Sequence, residues 1–289
     1  MSSKSNNPIL PIAALLIATT LWGTFWYPLR WLESNGLPGL WATLIIYSAT
    51  ALLAVPLLWR QWHEVTHHYR LLLVLGLASA WCNVTFMLAV IDGNIVRVLL
   101  LFYLSPLWTL LLSQWLLREA ISRASILYLG VAMSGAMVML WDPVVGWPLP
   151  HDESDWLAIS SGFAFALSNV LTRKGEAISI VSKTTVVWLG AVVLAAIWLL
   201  LKGSTWPTVG YDVIGGAMVI GLVGVVAMTV AVLYGVSHLP AHRSAVILLF
   251  ELIVGALSAQ LLTEEIVTPR EWLGGALIML AAWLTVRRA

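Results

Sequence analysis

The sequence predicts an all-α membrane protein of ten transmembrane helices, arranged as two inverted five-helix repeats. Three observations predict it. Apolar residues fall in runs long enough to cross a bilayer, Lys and Arg gather on one side of those runs, and the second half repeats the first at a nearly constant offset.

Of 289 residues, 60% are hydrophobic and 10% charged, against about a quarter charged in soluble domains. The mean hydropathy is +0.91. A helix rises about 1.5 Å per residue, so about 20 apolar residues cross a hydrocarbon layer about 30 Å thick. A β-barrel also satisfies backbone groups in lipid, but its strands alternate apolar and polar residues. Leu10–Trp22 and Ser125–Trp141 are apolar on every side, which selects helices.

The first span covers 9–31. Only Lys4 among charged residues precedes it and no small-residue cleavage site follows, so it reads as a retained helix and not a signal peptide. Asn35-Gly36 and Pro38 turn the chain into a second span, 37–59. The third covers 70–91 and stops at Asp92-Gly93-Asn94; the fourth covers 95–117 and the fifth 124–141. A periplasmic linker at 142–154, with Pro148, Pro150 and acidic residues, divides the first repeat (1–141) from the second (155–289). The remaining spans cover 155–172, 183–201, 211–236, 241–262 and 271–286, with Lys202-Gly203-Ser204 and Pro207 breaking the seventh from the eighth. Short connections make consecutive spans antiparallel.

With the N-terminus inside, cytoplasmic segments hold Lys4, Arg60, Arg70, Arg118, Arg123, Arg173, Lys174, Lys183, Arg243, Arg287 and Arg288. The outer loops hold only Arg30, Lys202 and Arg270, and most acids lie with them: Glu33, Asp92, Asp142, Asp152, Glu153, Asp155, Asp212, Glu264, Glu265 and Glu271. Positive residues mark the cytoplasmic side. The expectation is a multi-pass protein of the bacterial inner membrane with both termini cytoplasmic. Trp31, Trp41, Trp59, Trp62, Trp141, Trp147, Trp156, Trp206 and Trp272 fall at span ends, where the indole prefers the headgroup layer. Membrane lipid is therefore an expected partner, and nucleic acid is not.

Shifting the sequence by 145 residues places Gly76-Leu77 on Gly221-Leu222, Ser113 on Ser258, Arg97 on His242, and Leu116-Leu117-Arg118-Glu119 on Leu261-Leu262-Thr263-Glu264. A shift of 144 pairs Gly130 with Gly274. Five is odd, so the second copy enters the membrane from the other side. Inverted repeats of this kind form a site at their interface near the midplane, exposed to each side in turn as the halves rock. That points to a transporter. No His-Glu-x-x-His, Gly-x-Ser-x-Gly or phosphate loop occurs. A membrane-embedded enzyme would need a second intramembrane acid or a His cluster near Glu251. The single cysteine, Cys82, excludes an internal disulfide framework. Neither cofactor nor metal is expected, and any pumping must draw on an ion gradient.

Polar and aromatic groups deep in spans face the protein interior or a cavity. Trp22 and Trp26 lie one turn apart on the first helix, with Gly23 between them. They either fill the bundle or wall a substrate. Asn83 in the third helix and Asn169 in the sixth either bond a neighbouring helix or meet the substrate's charged groups. The fourth helix carries Arg97 near its outer end, then Tyr103 and Pro106. Pro106 removes a backbone hydrogen bond and marks a gating kink. Arg97 either snorkels to headgroups or pairs with a substrate carboxylate. At offset 145, Pro106 falls on Glu251 of the ninth helix, the only acid predicted well inside a span. Glu251 bonds another helix, couples protons or binds an amine.

Trp22-Gly23, Leu104-Ser105-Pro106-Leu107 with Arg118-Glu119, and the doubled five-helix unit resemble the EamA branch of the drug/metabolite transporter superfamily across the whole chain. The overall pattern is most similar to its bacterial exporters of aromatic amino acids, which implies efflux of aromatic and some other neutral amino acids. Two departures stand out. Members commonly have Gly before the helix-ending Glu, where this chain has Arg118 and Thr263, and Pro in the ninth helix, where it has Glu251. The expectation is an alternating-access exporter with a central cavity lined by Trp22, Trp26, Asn83, Tyr103, Asn169, Tyr234 and Glu251. Export of another small amphipathic metabolite or drug is the alternative. Proton coupling and oligomeric state stay open.

Overall fold

The structure is a computed structural model that describes residues 9–92, 95–141, 150–263 and 267–287. Lys4, Asp142, Trp147, Glu264, Glu265, Arg288, Gly93, Asn94, the Asp92 side chain and most of the 142–154 linker lie outside them.

Among the described residues ten long helices follow one another: α1 (Ile9–Ser34), α2 (Gly39–Arg60), α3 (Tyr69–Asp92), α4 (Arg97–Leu117), α5 (Arg123–Leu140), α6 (Glu153–Lys174), α7 (Ile180–Leu201), α8 (Tyr211–His238), α9 (Ala241–Leu262) and α10 (Pro269–Arg287). A short helix, Trp62–His67, joins α2 to α3. Eight of the ten are long and apolar enough to cross a membrane. The other two, α6 and α10, have 22 and 19 residues, about the length a bilayer requires. The lower hydropathy of α6 reflects its position, since Ser161, Ser168, Asn169 and Thr172 are buried in protein.

Several helix starts are chemically fixed. Asp152 accepts the Asp155 amide at 2.9 Å and caps α6, whose acidic first turn and basic last turn complement its dipole. Thr268 and Glu271 bond each other's amides and close the start of α10 as a capping box. Ser179 caps α7 through the Ser182 amide at 3.1 Å. That start lies three residues before the 183 expected from sequence, and Lys183 is a fully buried helical residue, not a loop cation. Its Nζ donates to the Gly175 carbonyl at 3.1 Å and the Ser237 hydroxyl at 2.5 Å. The orphan carbonyls that end α6 thus satisfy a cation that hydropathy alone would place in water.

The packing is symmetric under exchange of the copies. Helix α3 lies against α6 and α7, and its counterpart α8 against α1 and α2; α4 packs on α6, and α9 on α1; α5 meets α10, and α2 meets α7. Each third-type helix thus rests on the other copy, so much of the core is the interface between copies. Small residues make the close crossings. A Cβ on Gly76 would lie 2.9 Å from the Val186 carbonyl oxygen of α7, and one on its repeat partner Gly221 would strike the Ile46 carbonyl of α2. In the fifth-type helices Gly274 packs against Gly135: each would place a Cβ against the other's carbonyl oxygen, at 2.5 and 2.7 Å. Gly130, paired with Gly274 by the sequence shift, has nothing within 4 Å.

Candidate functional site

Helices α4 and α9 both bend at mid-length, and the bends face each other. In α4 the Leu104 amide reaches back three residues to Leu101 O at 3.3 Å, and the Leu107 amide to Leu104 O at 3.0 Å. In α9 the Leu249 amide bonds Val246 O at 3.3 Å and the Leu252 amide bonds Leu249 O at 3.1 Å. These positions correspond residue for residue at the offset of 145. Pro106 sits in the first bend and has no N–H to give the Phe102 carbonyl. Gly162 of α6 packs directly onto that freed carbonyl, with 2.6 Å from its Cβ position to the oxygen.

Between the bends lie Phe102, Tyr103, Ser105, Pro106 and Thr109 of α4, Phe165 of α6, and Ala245, Leu248, Leu249 and Glu251 of α9. They leave about 10 Å³ for the centre of a water molecule, room for roughly one water. The space between these residues is a narrow crevice. The Tyr103 and Glu251 side chains both line the gap. No Lys or Arg lines it among the described residues. A carboxyl and a phenol among aromatic rings can receive an ammonium group or hold a proton. Among the described residues no group of three His, Cys, Asp or Glu side chains is placed to hold a metal.

Of the residues predicted from sequence, Tyr103, Pro106 and Glu251 meet here. Asn169 lies on α6 one turn beyond Phe165, buried and without a hydrogen-bond partner among the described residues. The others go elsewhere. Trp22 packs into the cluster formed by α2, α7 and α8, edge-on to Phe25 at 5.8 Å. Trp26 donates Nε1 to Ser258 Oγ at 2.9 Å, tying α1 to α9, and Arg30 lies 5.6 Å from its ring centroid. Asn83 is bound between helices: its Oδ1 accepts from the Tyr47 hydroxyl at 3.0 Å, and its Nδ2 donates to Ser79 O at 2.7 Å. Tyr234 rests on His238 with ring centroids 4.3 Å apart. Sequence reasoning missed Phe102, Thr109 and Phe165. The spacing of Phe165 and Asn169, one helical turn apart, is the signal that could have found the α6 face.

The sequence profile of the EamA-like transporter family matches residues 9–141 and again 153–287. The chain belongs to this family. One solved crystal structure is similar over 96% of this chain and 98% of its own, with a TM-score of 0.71 at 18% identity, which shows a shared fold. No curated protein matches the chain in sequence. As an EamA-like transporter it is a multi-pass membrane protein of the drug/metabolite class.

At both ends of this EamA-like protein, ionic contacts join helices. At the acidic end, Arg97 Nε of α4 meets Asp155 Oδ2 of α6 at 2.7 Å, with the side chains 11% and 2% exposed, and the His151 amide also donates to that oxygen. At the basic end, Glu119 accepts the Ala241 amide at 3.1 Å and faces His242 Nδ1 at 3.4 Å and Arg173 Nε at 3.5 Å. It thereby links the end of α4 to the start of α9 and the end of α6. Arg118, just before it, has φ +54°, the one positive φ outside glycine among the described residues. A glycine would adopt this backbone without strain.

Proposed function

We propose that this transporter exports aromatic and other hydrophobic neutral amino acids from the cytoplasm by alternating access. The observation that carries the reading is the crevice between the α4 and α9 bends, where Tyr103 and Glu251 are the polar pair among Phe102 and Phe165. An aromatic side chain would stack on the rings. Glu251 and Tyr103 would receive the ammonium group, and the unpartnered Asn169 amide would reach the substrate as the crevice widens. The lining holds no cation for phosphate, which disfavours nucleotide sugars and other phosphorylated cargo. A small amphipathic drug would fit the same apolar lining, and competition by a panel of metabolites separates it from an amino acid.

The two copies, taken as 1–141 and 155–289 about a periplasmic linker, would rock against each other. The present conformation would be an occluded intermediate, with Arg97–Asp155 as the outer latch and Glu119 with His242 and Arg173 as the inner one. The basic end would face the cytoplasm of a bacterial cell, as the positive-inside rule requires. The test is uptake of labelled tryptophan and phenylalanine into proteoliposomes of the purified protein, with and without a pH gradient. Saturable flux is expected, falling at least about tenfold in Glu251→Gln, a loss of about 1.4 kcal/mol of transition-state binding. Absence of saturable flux for every amino acid overturns the proposal.

A further inference from the structure

We infer that the chain carries a second binding site, for a small oxyanion, at its basic end between α5, α9 and α10. A polar cavity opens there, with about 140 Å³ for the centre of a water molecule, far larger than the void at the bends. Its polar lining is Ser122, Ser125, Tyr128, His242, Arg243 and Thr285, with Ala124 and Val246 completing the wall. Among the described residues no carboxylate lines it, while an Arg, a His and four hydroxyls do. Thr285 donates its proton to Ala281 O and Ser122 and Ser125 bond each other, so the groups that recognise negative oxygen atoms are the Arg243 guanidinium, the His242 ring and one serine hydroxyl, with partial positive charge from the starts of α5 and α9.

His242 supplies the independent sign of a ligand. It is 7% exposed, yet its ring lines the cavity. Its Nδ1 faces Glu119 at 3.4 Å, and its other ring nitrogen has no hydrogen-bond partner among the described residues. An oxyanion on that nitrogen would hold the ring between itself and the Glu119 carboxylate on Nδ1. The ligand is therefore a phosphate or carboxylate group, free in solution or on a lipid headgroup. It would steady the Glu119 latch from behind, one helical residue from the crevice, since Val246 lines this cavity and Ala245 the crevice. The inference holds whatever substrate the transporter carries.

The test is thermal unfolding of the detergent-purified full chain against inorganic phosphate, at ionic strength matched with chloride, and against short-chain phosphatidylglycerol. A saturable rise in melting temperature is expected with at least one of them, and the one that acts identifies the source. Ala124→Leu fills the cavity without removing a polar group, and His242→Gln removes the ring. Each should raise the half-maximal concentration at least about tenfold, equivalent to 1.4 kcal/mol. Phosphate also stabilises proteins by exclusion from their surface, and that effect would survive both substitutions. No saturable rise with either ligand overturns the site, as does a rise with the same midpoint in both variants. If Ala124→Leu fails to fold, His242→Gln decides alone.

Discussion

Leu104 and Leu249, 145 residues apart, make the same bond: each amide donates to the carbonyl three residues back, at 3.3 Å in both helices. Only one of the two bends has a proline beside it. At the matching position α9 has Glu251, whose backbone N–H is intact, and the helix still bends. The bend therefore belongs to the repeat and its packing, with Pro106 fitted into a shape already set. Where the first copy has no donor, the second has a carboxyl, so the symmetric bends enclose one asymmetric charge.

Pro106→Ala tests this. In a straight helix a proline costs about 3 kcal/mol, which alanine would recover. In a helix that bends without it, little is recovered, and the change in stability should stay within about 1 kcal/mol. Thermal unfolding in detergent measures it. A gain near 3 kcal/mol would mean that the proline imposes the bend.

Arg118 leads to the opposite expectation. Its φ of +54° lets the Glu119 amide reach back to Ser113 O at 3.4 Å, which aims the Glu119 side chain at α9. The left-handed region costs a residue with a Cβ about 1–2 kcal/mol, and glycine's freedom in the unfolded chain returns about 0.4–1 kcal/mol of that. Arg118→Gly, at an exposed position, should therefore stabilise the protein by about 0.5–1 kcal/mol, again by thermal unfolding. A loss of stability would show that the arginine side chain makes up for its backbone.

Spans and symmetry were legible because they rest on long-range averages: hydropathy over about 20 residues and a register sustained through α3 and α4. The site was legible only in part. Tyr103, Pro106 and Glu251 were visible because a proline and a lone acid break an apolar run. Phe102 and Phe165 resemble any other apolar filler until α6 is placed against α4. Asn83 and Arg97 stood out as polar, but their partners Tyr47 and Asp155 are set by packing between helices. The burial of Lys183 was hidden for the same reason, since its acceptors come from the end of α6 and from α8. The contact of Gly135 with Gly274 was not visible for the same reason, since it is set by how α5 packs on α10.

The short helix Trp62–His67 belongs to the first copy, yet it fastens to the start of α7 in the second. Glu64 accepts the Ser179 amide at 2.9 Å and the Ser179 hydroxyl at 2.5 Å, and the Ser182 hydroxyl also donates to it. Burial pushes the Glu64 carboxyl up, but the side-chain bonds from Ser179 and Ser182, the Ser179 amide and nearby His68 outweigh it, and the group lies below its ordinary 4.5. A carboxyl lowered on folding adds stability that is complete above the unfolded value and disappears as pH falls through the folded one. The stability difference between the native chain and Glu64→Gln should therefore be constant from neutral pH down to about 5, then shrink as pH drops below 4.5. Ser179→Ala, which removes the cap as well as one bond to Glu64, should cost about 1 kcal/mol. Thermal unfolding of the three proteins across pH measures both, and a Glu64→Gln difference that does not change with pH would show that the carboxylate's charge plays no part in joining the copies at this end.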